Sequence, residues 1–351
     1  MNSKINSVAD SEVANTLLVE QEKVKFGRYK KAFTKANLRD SNLFSDFPVL
    51  PPWQRLRLKE FQVVQAGNSR FFMFFGIINF KHMGQLVVRI YDRLLNQHHI
   101  VERYILPWRL QNPSSLYDST LEYRTKNHWL KFENDWDNKK IQIKMNVASG
   151  KNNPAISGEI EAVFNDSEDM VSSIPLSGSR PMYAHKCLGR ISGHLHVGNE
   201  KIDFSVKDSF IFVDDHKAYY PFSMFWDWAT AAANTKQGYI GFSLTHNQSR
   251  DCEQFNENGL WVDGKLHQLP AIQFLRNDES PALWVIKDRS GIVDLSFQEL
   301  TQTTTYLNLG IFKANYLAPQ GVFNGYIKQE DGKKILINNF YGIAEKFRMQ
   351  A

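Results

Sequence analysis

Two cysteines, Cys187 and Cys252, are all that the 351 residues carry, which excludes a disulfide framework. No run approaches the roughly eighteen consecutive apolar residues of a membrane-spanning helix, and no secretory apolar segment follows Met1. These absences predict a protein of the reducing cytoplasm, in which the sequons at Asn165 and Asn247 are chance matches. A Gly-rich phosphate loop, an HExxH helix and a nucleophile elbow are all missing. Nucleotide chemistry is therefore disfavoured, and neither a cofactor nor a metal is expected. Charge of one sign is scarce: the net charge is +5, and residues 1–60 hold eleven Lys and Arg against seven Asp and Glu. The remainder has no basic stripe with interleaved aromatics, so no nucleic-acid partner is expected. The early basic cluster (Lys23, Lys25, Arg28, Lys30, Lys31, Lys35) reads as solvated surface around an N-terminal arm, with peripheral contact to an anionic membrane as the alternative.

What the chain does have is rings. Aromatics reach 13%, with 25 Phe, 13 Tyr and 8 Trp, and such residues fit the half-buried surface of a pleated sheet. From Leu58 onward short apolar segments alternate with turn clusters. Lys140 to Val147 sets Ile141, Ile143, Met145 and Val147 against Gln142, Lys144 and Asn146. Asp263-Gly264 is a two-residue hairpin signal between Leu260-Trp261-Val262 and Lys265-Leu266. The first twenty or so residues are polar and read as a ragged or weakly helical start, and Phe44 to Trp53, with three prolines, as an extended lead-in. Pro, Gly and Ser concentrate again from Ser172 to Pro181. The pattern predicts an all-β protein of two consecutive antiparallel barrels, each able to enclose one small ligand. Their bounds are an arm and lead-in at 1–57, a first barrel at 58–178 and a second at 179–351.

The richest segment runs from Asp214 to Ala233. Strand alternation places Ile202, Phe204, Val206, Asp208, Phe210, Phe212, Asp214 and His216 on one face. An apolar face ending in an acid and an imidazole is how a small-molecule pocket is commonly built, here expected in the second barrel. Trp226 and Trp228 share a face and join the candidate ligand-binding set with Phe210, Phe212, Tyr219 and Tyr220. Glu257, in the turn Asn256 to Gly259, is a candidate second acid at the mouth. Asp227 has the opposite parity and is expected in an ion pair between the two barrels. His194 and His196 share a strand face, but no third metal ligand follows from spacing, so they read as surface histidines. Cys187 reads as a packed thiol.

Several segments together resemble one family: Gly27-Arg28, Leu58-Lys59-Glu60-Phe61, Tyr91-Asp92-Arg93, Asp215-His216-Lys217, Tyr219-Tyr220-Pro221, Trp226 to Thr230, Asn256 to Gly259, Gly321 through Gly325, and Gly342 to Glu345. They are similar, in order and over nearly the whole chain, to the uncharacterised family called domain of unknown function 2804. That family is similar in turn to hydroxyneurosporene synthase and AttH-like proteins. The resemblance implies two lipocalin-like barrels in tandem. It also implies a chemistry, because carotenoid hydratases of the wider group add water across a double bond with side-chain acids and no cofactor. Their acidic position falls near Asp214 or Asp215, beside His216. A carboxyl desolvated at a barrel mouth is a proton donor near neutral pH. Tryptophan faces stabilise a cation, and His216 or Tyr219 would place the water. Three readings stay open: binding of an apolar or amphipathic molecule such as a lipid or isoprenoid, cofactor-independent hydration or isomerisation of it by Asp214, Asp215 and His216, and a scaffold with filled barrels.

Overall fold

The computed structural model describes residues 17–42, 56–151, 153–176, 180–277, 279–301, 303–310 and 312–350. The polar start at 1–16 and the proline-rich lead-in at 44–53 lie outside the described residues. Among those described, the expected all-β tandem architecture is what forms: two curled antiparallel half-barrel sheets, of thirteen and eleven strands.

Alternation explains each sheet. In Lys140–Val147 the four apolar residues are at most 1% exposed, and they pack into one core with Phe75, Leu130, Phe132 and Ile191. Burying each such side chain is worth about 1.5–3 kcal/mol against leaving it in water. The second sheet wraps a separate core around Phe242, Trp284, Phe297 and Phe323. Both concave interiors are thus filled by side chains.

Asp263 and Gly264 both take positive φ, 48° and 83°, and close the hairpin whose register partners are Val262 and Lys265. Glycine is needed at 264 twice over, because a Cβ there would lie 1.5 Å from the Asp166 carbonyl oxygen. That close approach is a clasp between the sheets. The Glu168 amide donates to the Gly264 carbonyl at 2.9 Å, and its carboxylate accepts from the Leu266 amide at 2.8 Å.

The boundary between sheets differs from the expected one. Pro181–Val197 and Phe210–Tyr219 are strands of the first sheet, and the latter pairs with the opening strand Leu58–Gly67 along its whole length. Sheet membership changes between Tyr219 and Ser223. The Ser172 to Pro181 break falls within one sheet, since Pro175 and Pro181 are register partners. Proline and glycine mark a turn and a linker alike, and only the pairing tells them apart.

The faces opposite the two cores meet each other. Phe72, Tyr91, Leu188 and Phe212 of the first sheet pack there against Trp228, Trp261 and Tyr341 of the second. The N-terminal arm joins through Gly27–Tyr29, which pairs with Met170–Pro175. It takes two of the basic cluster with it: Lys25 pairs with Glu20 at 2.6 Å, and Arg28 turns inward to donate to Gln268 at 2.7 Å.

Candidate functional site

Parity divides the strand Phe210–Tyr219 sharply. Ile211 and Val213 enter the first core. Asp215 and Lys217 follow on that side as a buried pair at 2.6 Å, with the ammonium 5.9 Å from the Tyr183 ring centre. On the other side Phe210 and Phe212 join the inter-sheet contact, and beyond them Asp214 and His216 face a cavity.

That cavity, about 180 Å³, lies between the outer faces of the two sheets and not inside the second barrel. The reason is packing: both barrel interiors are already full, whereas two curved faces set back to back leave space where they diverge. The first sheet contributes Phe61, Val63, Phe74 and Val87, and the second Trp226, Phe347 and Met349. An engineered apolar cavity of about 150 Å³ holds a benzene molecule, so this one has room for a ring-sized group.

Its floor is polar. Lys186 stands directly opposite Asp214 in the register and is 4% exposed. Its ammonium lies 2.8 Å from Glu257 and 3.6 Å from Asp214, and 5.5 Å from the Trp228 ring centre. Burial alone would lower the Lys186 pKa, but Asp214 and Glu257 outweigh it and hold the ammonium above its usual range. Asp214 moves the opposite way from an ordinary carboxylate. Desolvation, opposed by Lys186 and reinforced by Glu257, pushes it up to about 7. Glu345, also buried, is raised by desolvation although it accepts from the Tyr316 hydroxyl at 2.6 Å and from the Trp226 indole at 3.4 Å.

His216 stacks on Phe61 with ring centres 4.4 Å apart and planes 2° from parallel, and its Nε2 lies 2.9 Å from the Tyr220 hydroxyl. Burial, with Lys186 and Lys217 nearby, drives its pKa well below 6.5, so the imidazole is neutral. Tyr220 is pushed well above 10 by burial. Among the described lining residues, both amide atoms of Gln65, Oδ1 of Asp214 and Oγ1 of Thr245 are buried with no protein partner, while Oε2 of Glu257 is met by the Lys186 ammonium. Each such atom costs about 1–3 kcal/mol unless something meets it.

Of the residues singled out from sequence, Asp214, His216, Tyr220, Trp226, Trp228 and Glu257 come together at this cavity. Asp215 does not, because one residue along a strand reverses the face. Tyr219, by the same parity, packs with Leu18, Phe33 and Tyr183 under the N-terminal arm. Phe210 and Phe212 fill the inter-sheet contact rather than the cavity wall, and Ile202 and Phe204 belong to the first core. Asp227 is not an inter-barrel pair. It accepts from Arg348 at 3.0 Å and lies 3.5 Å from His246, both within the second sheet, on the face that continues into Ala229 and Ala231. The rings of His194 and His196 meet edge to face at 5.4 Å, and among the described residues no group of three His, Cys, Asp or Glu is placed to hold a metal. Cys187 is buried and its pKa rises well above 9 by desolvation.

Sequence reasoning missed Gln65, Lys186, Thr245, Tyr316 and Glu345. Lys186 carries no local signal, and Glu345 only its membership of the segment Gly342 to Glu345. Their place follows from register alone, Lys186 opposite Asp214 and Glu345 opposite Trp228.

Fold and cavity together define a tandem half-barrel protein with a polar-floored cavity between its sheets. The chain belongs to the family described as domain of unknown function (DUF2804), whose model matches residues 11–350. No curated protein matches it. Among solved structures it is similar to kievitone hydratase from Nectria haematococca, at 12% identity and a TM-score of 0.48, covering 83% of this chain and 88% of that one. It is also similar to a putative AttH from Nitrosomonas europaea, at 10% identity and a TM-score of 0.46, covering 84% and 92%. No helix among the described residues is long and apolar enough to cross a membrane.

Proposed function

We propose that this protein binds one apolar or amphipathic small molecule in the cavity between its two sheets, with the polar end of the ligand on the floor. The observation that carries this reading is the unmet hydrogen-bonding capacity of Gln65, Asp214 and Thr245 in a cavity whose wall is largely aromatic and aliphatic. Buried polar groups are ordinarily paired, and a wall of aromatic and aliphatic side chains with a few convergent polar atoms is the usual form of a ligand site. Native mass spectrometry of gently purified protein is expected to show a bound small mass, and lipid or isoprenoid panels to raise its melting temperature. An invariably empty protein that no panel member stabilises would count against the reading.

A second reading, proton transfer on that ligand without a cofactor, is favoured by one feature. Asp214 presents to the cavity a carboxyl that titrates near neutral pH, as a general acid or base requires. His216, neutral and held by Tyr220, is the neighbouring group able to orient a water. Asp214→Asn should then abolish turnover of a bound ligand, measured at saturating ligand so that a change in affinity does not enter. Undiminished turnover in that variant removes the catalytic reading and leaves the binding one. Full interiors in both half-barrels fit a scaffold equally well, and the cavity between them is what favours binding over it.

A further inference from the structure

Gln65 is fully buried, at 0% exposure, on the cavity wall, and neither its amide nitrogen nor its amide oxygen meets a protein partner. The register places Gln65 opposite Phe212 and Val63 opposite Asp214. Gln65 and Asp214 are therefore diagonal neighbours on adjacent strands, roughly 7–8 Å apart at most between Cβ atoms. One ligand group can reach both. Thr245 presents its unpartnered hydroxyl from the second sheet.

These atoms set a narrow chemical requirement. The Gln65 nitrogen can only donate and its oxygen can only accept, and an ionised Asp214 oxygen can only accept. A hydrocarbon satisfies none of them. An ammonium group has no lone pair for the Gln65 nitrogen. A carboxylate has no donor for an ionised Asp214, and it brings negative charge beside that group and Glu257. The cations do not offset this. Lys186 is already held by Glu257 at 2.8 Å and Asp214 at 3.6 Å, and Arg89 is matched by Glu102. His82 is pushed down to about 4 by burial and by Lys59, and Lys313, which also lines the cavity, stands opposite Gln350, five residues along the strand from Glu345. A hydroxyl group both donates and accepts.

Resting on the binding reading above, we infer that the molecule this cavity takes is an uncharged alcohol or phenol, seated with its hydroxyl between Gln65 and Asp214. The hydroxyl oxygen accepts from the Gln65 nitrogen, and its hydrogen goes to the Asp214 carboxylate. Thr245 closes the third side.

Four probes on one frame test this by calorimetric titration of the full chain at pH 7.5: 2-naphthol, naphthalene, 2-naphthoate and 2-naphthylmethylammonium. The naphthol is expected to bind about tenfold or more tighter than each of the other three, as one or two hydrogen bonds to buried partners imply. Gln65→Met, which keeps the volume and removes both polar atoms, should cost the naphthol about tenfold and leave naphthalene unchanged. Equal binding of naphthol and naphthalene overturns the inference and leaves the binding reading standing. Tighter binding of either charged probe overturns it in favour of a charged ligand. If none of the four binds, the inference falls, and the binding reading is decided by its own lipid and isoprenoid panels. The ranking on the unaltered protein needs no variant to fold.

Discussion

Asp214 is where a single residue controls most. Desolvation holds its folded pKa at about 7, against roughly 3.9 in an unfolded chain, so the folded state binds the extra proton across that interval. Stability from this group is therefore fully present below about pH 4 and is lost as pH rises through about 7. Asp214→Asn removes that dependence. The variant is expected to gain on the native protein between pH 4 and pH 7, by on the order of a few kcal/mol, and to run parallel to it above. Urea denaturation at unit pH steps measures the difference. Glu345 and His216 are present in both proteins, so only their coupling to Asp214 enters the comparison. A constant offset across that range would mean that Asp214 keeps an ordinary carboxylate pKa. Asp214 was legible from parity, whereas its partner Lys186 was not, because the pairing joins residues whose proximity depends on register.

At the scale of elements, the hairpin Gly259–Val262 with Lys265–Gln268 shows how a local signal acquires a long-range role. Asp263-Gly264 reads directly as a two-residue turn, and both residues have the left-handed φ that such a turn needs. What the dipeptide does not reveal is that its tip touches the Asp166 carbonyl and bonds Glu168 of the other sheet. Gly264→Ala is expected to destabilise the protein by about 2 kcal/mol or more, since it adds a Cβ at positive φ and into a backbone oxygen. Gly332→Ala supplies the control. Its φ is also 83°, but nothing lies within 4 Å of the added Cβ, so about 1 kcal/mol is expected there. Equal losses in the two denaturation curves would mean that the clasp contributes nothing.

The whole molecule is held together by the outer faces of its sheets. Trp228, Trp261 and Tyr341 of the second sheet are buried against Phe72, Leu188 and Phe212 of the first. Separating the halves would expose a large apolar patch, which isolated soluble domains seldom carry. Residues 223–351 expressed alone are expected to aggregate or to bind a hydrophobic dye strongly, while the intact chain unfolds in a single calorimetric transition. Two resolved transitions, with a soluble monomeric fragment, would show that the interface is dispensable. The same contact explains the shifted boundary. Phe210–Tyr219 completes the first sheet, so the division follows hydrogen bonding and not the proline-rich stretch before it.

Alternation, turn chemistry and aromatic content determined from sequence alone that the chain is all-β, that it forms two successive sheets, that Asp214 and His216 share one strand face, and that Trp226 and Trp228 share another. Those properties are local, set by a period of two residues along the backbone. The Asp214 face did not extend back to Ile202 and Phe204, which lie in the first core. Tertiary structure decided which side of each sheet is core, and hence that the cavity lies between the sheets and not within the second. It placed Gln65, Lys186, Thr245 and Glu345 beside Asp214, and turned Asp215, Tyr219 and Asp227 elsewhere. The physical reason is that alternation names two faces but not their destinations, which depend on how two filled half-barrels pack against each other.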